Sequence, residues 1–318
     1  MKISIVIPLC DRRNVGWRAL ESAVSQDFPR DKYEVVAVTG VGNAAERDAE
    51  DVSALTARCN LVVHTDLEID DVASEIRLYQ AGYQRSTGDV LFFVEGHTVL
   101  EKRCCTVIDA YFRLHPESAI AWAPRLNYGE SPLGSLISRH NMQHELRAIE
   151  NGVFSFGATN VIKRSLLEHL GGFDARFLRF SETAVFHRLL QEEIEIGRIP
   201  EPLATHYNDM SVSQWRKLVM STGEAKCNYY NALLARGEDV RAQVRHGIYL
   251  QANRAWSARL LYPAFRMAGA LFLGLALGTW RIGHALAYRF YVLGLGFTDL
   301  SGFCRARIRA AKTSARTA

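Results

Sequence analysis

The fold is indicated most clearly by residues 88–97, which read GDVLFFVEGH. Five apolar residues of strand length lead directly into Glu95, Gly96 and His97. Because side chains alternate along an extended backbone, Glu95 and His97 are expected on the same side, with Gly96 leaving room between them. Open α/β sheets bind ligands beyond the carboxyl ends of their strands, so the pair predicts a site with metal ligands. The alternative is a solvated turn that carries one acid and one histidine.

Strand-like and helix-like segments alternate on both sides of this stretch. Strands are predicted at 3–8, 33–38, 61–64, 90–94, 119–124, 154–161 and 196–199. Helices are predicted at 14–25, 70–85, 101–114, 164–170 and 183–192. Such alternation is typical of βαβ units, so the predicted fold class is α/β, with a Rossmann-like, mostly parallel sheet flanked by helices.

The composition is that of a chain able to bury a full core: 318 residues, 48% hydrophobic and 23% charged. Its net charge of +4 is unevenly distributed, because residues 241–318 contain twelve Lys or Arg and one acid. That segment carries +11 and residues 1–240 carry −7. A basic carboxyl-terminal quarter predicts an anionic partner, either a nucleic acid or a lipid surface.

The six cysteines and the amino terminus bear on the cellular compartment. No C-x-x-C pair occurs, so neither a zinc site nor a disulfide framework is expected, and a reducing cytosol is predicted. The amino terminus has only a short apolar stretch at 3–9 before charged residues, so a signal peptide is not expected.

Two apolar segments lie near the carboxyl terminus, at 267–280 and 282–297. Each is shorter than the roughly 20 apolar residues of a spanning helix, so a helical hairpin or two interfacial helices are expected. A buried helical pair in a soluble core is the alternative. Three arginines at the ends of these segments have the spacing of snorkelling anchors: Arg266, Arg281 and Arg289.

The tail at 301–318 is basic and contains no acid. Beside an apolar hairpin, this charge matches the anionic cytoplasmic leaflet of a membrane. Stacking aromatics are missing after Phe303, which disfavours a nucleic acid as the partner. The sequence therefore predicts peripheral or monotopic attachment to the cytoplasmic face of a membrane.

Several short motifs occur in a fixed order between residues 3 and 210. They are ISIVIP at 3–8 followed by Asp11 and Arg12, ALESAVSQ at 19–26, STGDVLFF at 86–93, GATN at 157–160, GGFD at 171–174, FSE at 180–182 and His206. Together these motifs resemble the family 2 glycosyltransferases of the GT-A type. The resemblance implies transfer of a sugar from a nucleotide-diphosphate donor to an acceptor hydroxyl.

The resemblance also implies roles for individual residues. The implied nucleotide-sugar contacts are Pro8, Asp11, Arg12 and Glu95. The implied ligands of a divalent cation, Mn²⁺ or Mg²⁺, are His97, Glu95 and His206. The residues expected to face the acceptor are Gly157, Asn160 and Arg125. Carboxylate and imidazole ligands suit Mn²⁺ better than Mg²⁺, which prefers oxygen ligands.

Glu182 is the implied catalytic base, and a single base opposite the leaving group implies an inverting displacement. Each role has an alternative from the residues alone. Glu182 is also explained as a charge that favours the helix dipole beside Ser181 as the cap. His206 is also explained as an ordinary loop histidine, and Arg125 as a polar surface residue.

The chain departs from the family pattern at three places. Thr39 and Gly40 stand where the family has an acidic pair that reads the nucleobase, and Glu95-Gly96-His97 replaces the DxD motif. A Q-x-x-R-W motif is missing, since Gln214-Trp215-Arg216 does not fit it, and this disfavours a processive polymerase.

The resulting division of the chain has five parts. They are a nucleotide-sugar-binding half at 1–100, an acceptor-binding and catalytic half of the same domain at 101–210, a helical extension at 211–255, apolar membrane-associating helices at 256–300 and a basic tail at 301–318. The expected function is a membrane-associated, metal-dependent glycosyltransferase with a lipid-linked or membrane-proximal acceptor saccharide, as in cell-envelope polysaccharide synthesis. No nucleic acid is expected as a partner.

Two other functions are compatible with parts of the pattern. The altered motifs favour a catalytically degenerate glycosyltransferase fold that serves as a membrane-bound binding or scaffold protein. A sugar-1-phosphate nucleotidyltransferase shares the sheet topology, but residues 9–15 contain no glycine run to hold its phosphates.

Overall fold

The computed structural model describes residues 1–10, 13–41, 61–68, 75–151, 159–174, 177, 181–237 and 255–317. The chain divides into two compact units, Met1–Asp209 and Met210–Ala318. Most of the predicted strand at 154–161 lies outside the described residues.

The first unit contains strands and helices in alternation. Its strands are β1 (Ile3–Pro8), β2 (Tyr33–Val41), β3 (Leu61–Glu68), β4 (Val90–Phe93), β5 (Thr98–Leu100), β6 (Ile120–Trp122), β7 (Arg125–Tyr128), β8 (Asn160–Lys163), β9 (Gly197–Arg198) and β10 (Ala204–Tyr207). Its helices are α1 (Arg18–Val24), α2 (Glu75–Arg85), α3 (Cys104–Leu114), α4 (Pro132–Asn151), α5 (Arg164–His169) and α6 (Ser181–Gln191).

The main sheet of this unit has, among the described residues, the strand order β3-β2-β1-β4-β8-β6-β9. Neighbouring strands run parallel except at β8, which is antiparallel to both β4 and β6. The predicted α/β class with a mostly parallel sheet is therefore confirmed. Because β8 runs in reverse, its amino end lies at the same edge of the sheet as the carboxyl end of β4.

The core lies on both faces of this sheet, which explains the uninterrupted apolar character of its central strands. Ile5 of β1 packs in one cluster with Leu20 of α1 and Ile108 of α3. Val6, the next residue, packs on the opposite face with Ile76 of α2. Helices thus cover both faces of the sheet.

A second, three-stranded sheet has the order β5-β10-β7. The sequence analysis did not predict β5, β7 or β10, and its alternative for His206 was an ordinary loop histidine. In the structure His206 is in β10, where it pairs with Thr98 of β5 on one side and Asn127 of β7 on the other. Strands of three or four residues give too short a pattern to be detected from periodicity.

The second unit is helical in the part that the structure describes: α7 (Val212–Ala235), α8 (Ala255–Thr279) and α9 (His284–Thr317). Ser211 and Gln214 form a reciprocal capping box at the start of α7. Lys226 of α7 forms an ion pair with Asp299 of α9 at 2.8 Å. Stacked rings of Phe272 and Phe297 join α8 to α9.

The two carboxyl-terminal helices are longer than the apolar runs that predicted them. The expectation that neither segment is long enough to span a membrane is wrong for α8, which starts twelve residues before the charge-free run. Among the described residues, Trp256–Thr279 is long and apolar enough, by length and composition, to cross a membrane, and 22% of its apolar window is buried in the protein. The basic residues after 300 continue α9.

A buried carboxylate joins the amino-terminal ends of the central strands. Glu34 accepts hydrogen bonds from Ser4 Oγ at 2.6 Å and from the Thr87 backbone N–H at 2.5 Å, and it pairs with Lys2 Nζ at 3.2 Å. Burial alone would raise the pKa of Glu34, but these hydrogen bonds outweigh it and lower the pKa below its ordinary value. The ionised form therefore stabilises the fold.

We expect Glu34→Gln to lower the free energy of unfolding at pH 7 by about 1–3 kcal/mol, because an amide whose oxygen accepts from Ser4 and Thr87 turns its NH₂ group toward the Lys2 ammonium. The depressed folded pKa means that this stabilisation is present above the pKa of the unfolded carboxyl and is lost as the pH falls below about 4. Urea unfolding at pH 7 and at a pH below about 4 measures the difference in free energy of unfolding between wild type and variant. Glu117→Gln, at an exposed residue, is the control. An equal loss at both pH values would contradict the assignment.

Candidate functional site

Glu95 and His97 lie in a turn that follows the central strand β4. The Val94 N–H donates to Val6 O at 3.0 Å, and the Thr98 N–H donates to Glu95 O at 3.0 Å, which closes the turn. The Oε2 atom of Glu95 lies 3.5 Å from Nε2 of His97. The two side chains converge as predicted, but they do so because of the turn and not because of strand alternation.

His206 reaches the same point from the second sheet. Its Nε2 lies 2.9 Å from Glu95 Oε2 and 2.8 Å from His97 Nε2. The pairing of β10 with β5 continues past Thr98, since the Tyr207 N–H donates to His97 O at 3.1 Å. In the described part of the chain, Glu95, His97 and His206 are the one group of three potential metal ligands, with ligand atoms within 4.8 Å of one another.

Two further side chains from β7 and one from α4 border the cluster. Arg125 donates from Nη1 to Glu95 Oε2 at 3.2 Å and from Nε to Glu145 Oε1 at 2.9 Å. Asn127, two residues along the same strand, donates from Nδ2 to Glu145 Oε1 at 3.0 Å. Arg125, which was expected to face the acceptor, therefore lies between two carboxylates beside the cluster.

The electrostatics of the cluster favour a charged acid and neutral imidazoles. Burial would raise the pKa of Glu95, but His206, His97 and Arg125 outweigh it and hold that pKa well below its ordinary value. Burial lowers the pKa of His97 well below its ordinary value, with a contribution from Arg13. Burial, with Arg125, lowers the pKa of His206 to about 4. At neutral pH the imidazoles are uncharged, which is the form that ligates metals.

Glu182 lies in the first turn of α6 and is partly buried. Burial would lower the pKa of Arg125, but Glu95 and Glu145 outweigh it and raise that pKa, with a smaller contribution from the charge of Glu182. Burial raises the pKa of Tyr79, and the charges of Glu95 and Glu182 both add to that shift. The alternative interpretation uses Ser181 as a helix cap, but its buried Oγ makes no hydrogen bond in the described part of the chain.

The remaining predicted residues lie at the same edge of the sheet or outside the described residues. Pro8 ends β1 beside Val38, and Asn160 is fully buried at the start of β8, opposite Trp122. The residues outside the described part are Asp11, Arg12 and Gly157. Thr39 and Gly40, expected after the second strand, lie within β2.

The sequence analysis missed two polar residues at the site, Arg13 and Glu145. Arg13 donates to Tyr207 O at 2.8 Å and thereby joins the first loop to β10. Asn127, like Arg125, was expected either to face the acceptor or to be a polar surface residue, and the structure places it between Glu145 and His206. Glu145 gave no usable signal, because the helix that carries it was not predicted.

Comparisons with known proteins show which sequences and which solved structures resemble this chain. No protein-family model matches the chain. Among curated proteins, the dolichyl N-acetyl-α-D-glucosaminyl phosphate 3-β-D-2,3-diacetamido-2,3-dideoxy-β-D-glucuronosyltransferase of Methanococcus voltae is 21% identical over 248 residues, which cover 70% of this chain and 72% of the relative.

Solved structures give the architecture. The mannosyltransferase PcManGT from Pyrobaculum calidifontis, in complex with GDP-Man and Mn²⁺, matches with a TM-score of 0.57 at 15% identity and covers 94% of this chain and 87% of its own. S. aureus TarS 1-349, in complex with UDP, matches with a TM-score of 0.51 at 12% identity, over 99% and 92%. The chain has a glycosyltransferase fold. The predicted architecture of the GT-A type is thereby confirmed.

Proposed function

We propose that this protein is a metal-dependent, inverting glycosyltransferase similar to family 2. It transfers a sugar from a nucleotide diphosphate to a hydroxyl of a lipid-linked or membrane-proximal acceptor at the cytoplasmic face of a membrane. The observation that carries the proposal is the convergence of Glu95, His97 and His206 beyond the carboxyl end of β4. The fold supports it, because two structures that share this fold contain UDP or GDP-Man with Mn²⁺.

The donor set fits a divalent cation. One carboxylate and two neutral imidazoles suit Mn²⁺, whereas an all-oxygen shell would favour Mg²⁺. Arg125 lies between Glu95 and Glu145, so these three charges sum to −1. This net negative charge attracts a dication. Such an ion, held by Glu95, His97 and His206, would neutralise the leaving diphosphate.

The chain's own residues supply the other requirements of the reaction. We assign to Glu182, a partly buried carboxylate in the first turn of α6, the role of taking the proton of the acceptor hydroxyl. Arg13 lies close enough to lower the pKa of His97, so its positive charge also faces the site of the diphosphate. Pro8 and Asn160 line the same edge of the sheet, where donor and acceptor would meet.

The second unit supports attachment to a membrane. Four apolar side chains form an exposed stripe along α8 with spacings of four, seven and four residues: Trp256 (63% exposed), Leu260 (69%), Met267 (73%) and Leu271 (60%). Arg259 and Arg266 are exposed on the same helix and favour anionic lipid headgroups. The Methanococcus voltae relative is named for a dolichyl-linked substrate, which agrees with an acceptor at a membrane.

A nucleotide titration tests the donor site. We expect one of UDP, GDP and dTDP to bind in the presence of Mn²⁺ and to bind at least about tenfold more weakly without it, because the diphosphate needs a counter-ion. Calorimetry measures the affinities of the wild type, of His97→Ala, which should lose the Mn²⁺ effect, and of exposed His115→Ala, which should keep it. If none of the three nucleotides binds with Mn²⁺, the scaffold alternative is favoured.

Substitution of Glu182 by Gln tests the base. It should lower kcat by about 10²–10⁴-fold and leave nucleotide affinity unchanged within about twofold, because only the proton acceptor is removed. Release of the nucleotide diphosphate identified by the titration measures turnover. Glu192→Gln, just after the same helix, is the matched control. A kcat within threefold of wild type would refute the assignment.

Substitution of exposed leucines on α8 tests membrane attachment. We expect Leu260→Gln/Leu271→Gln to reduce co-sedimentation with anionic phospholipid vesicles severalfold, because apolar surface no longer enters the lipid. Leu114→Gln/Leu190→Gln changes two exposed leucines of the first unit in the same way and should bind vesicles like the wild type. Equal binding by both double variants would exclude α8 as the anchor.

A further inference from the structure

A chain of polar side chains supports His206 from the side opposite the cluster. Glu145 Oε1 accepts from Asn127 Nδ2 at 3.0 Å, and Asn127 Oδ1 lies 3.1 Å from Nδ1 of His206. The backbones of Asn127 and His206 are direct partners in the pairing of β7 with β10. The contact is therefore set by strand register and does not depend on a loop.

The orientation of the Asn127 amide follows from its neighbours. The ionised carboxylate of Glu145 only accepts hydrogen bonds, so the amide must present its NH₂ to Glu145. Its oxygen then faces His206, and this oxygen also lies 3.3 Å from the NH₂ of buried Asn208. An amide oxygen only accepts, so Nδ1 of His206 must carry a proton and donate it.

With the proton on Nδ1, the other ring nitrogen of His206, Nε2, is left without a proton. A neutral imidazole with a proton on Nδ1 has a lone pair on Nε2. That lone pair faces Glu95 Oε2 at 2.9 Å and His97 Nε2 at 2.8 Å. A carboxylate oxygen and an imidazole lone pair repel at this distance unless a cation lies between them.

We propose that Asn127, oriented by Glu145, is a positioning residue that keeps the proton of His206 on Nδ1 and thereby reserves Nε2 for a divalent cation. The inference rests on the proposed function, because it assigns a supporting shell to the same site. Glu145 serves the cluster twice. It orients Asn127 behind His206, and it fixes the Arg125 guanidinium that donates to Glu95. Partners of this kind set the tautomer and the direction of metal-ligating histidines.

Nitrogen-15 NMR of histidine rings in the metal-free protein reads the tautomer directly. The His206 signals are identified by their loss in His206→Gln. We expect the wild-type ring to carry its proton on Nδ1. In Asn127→Leu the proton should move to Nε2, where Glu95 Oε2 can accept it. A proton on Nε2 in the wild type would overturn the proposal.

Mn²⁺ affinity, measured by electron paramagnetic resonance, tests the consequence. Asn127→Leu should weaken binding about 10- to 100-fold. Asn141→Leu makes the same change at a residue hydrogen-bonded to Asn208 and should bind like the wild type. Glu145→Gln, on the partly exposed helix α4, removes the orienting charge without shortening a side chain and should give a smaller loss together with a mixture of tautomers.

A double-variant cycle separates positioning from a structural role. In the His206→Gln background, Asn127→Leu should cause no further loss of Mn²⁺ affinity, because its effect passes through the His206 ring. An undiminished further loss would overturn the proposal. If the wild type binds no Mn²⁺, the metal in the proposed function is refuted, while the tautomer measurement still decides the role of Asn127.

Discussion

The site depends on one carboxylate, Glu95, which is four-fifths buried at the end of the central strand and 20% exposed. An ionised carboxylate removed from water is costly unless opposite charge or hydrogen-bond donors surround it. The cation beside Glu95 is Arg125 of β7, at 3.2 Å. The imidazoles of His97, from the same turn, and of His206, from β10, lie within 3.5 Å of Glu95 Oε2. The second sheet brings β7 and β10 to this point. The small sheet therefore supplies the positive charge that allows the large sheet to end in a partly buried carboxylate.

The same constraint explains the position of α4. Arg125 pairs with Glu95, and this partly buried guanidinium forms a second ion pair with Glu145 of α4 at 2.9 Å. The start of that helix is fixed from the segment just after β10, since Asp209 accepts from the backbone N–H groups of Glu130 and Ser131 at 2.8 Å. The segment that runs from His206 to Asp209 thus also positions the helix that carries Glu145.

The sequence predicted the large sheet and the ligand cluster but not the residues that support the cluster. The central strands of the sheet are buried on both faces, so they appear in the sequence as apolar runs. Arg125 and Asn127 lie in a strand of four residues, and their partner Glu145 lies 18 to 20 residues away in a helix. Contacts of this kind depend on strand register, which periodicity does not reveal. Periodicity also failed to show the full length of α8, because charged residues interrupt the apolar run in the sequence whereas the helix continues through them.

A histidine at position 97, where the resemblance to family 2 implies an acid, would change the charge balance of the proposed reaction. With Arg125 between Glu95 and Glu145, the cluster carries a net charge of −1, and a second acid in place of His97 would make it −2. A neutral imidazole keeps a ligand without adding that repulsion in a buried place. The cost is weaker attraction for a free cation, since Coulomb energy scales with the opposing charge. In the proposed reaction the diphosphate supplies the missing negative charge, so cation and donor are expected to be held more tightly together than either alone.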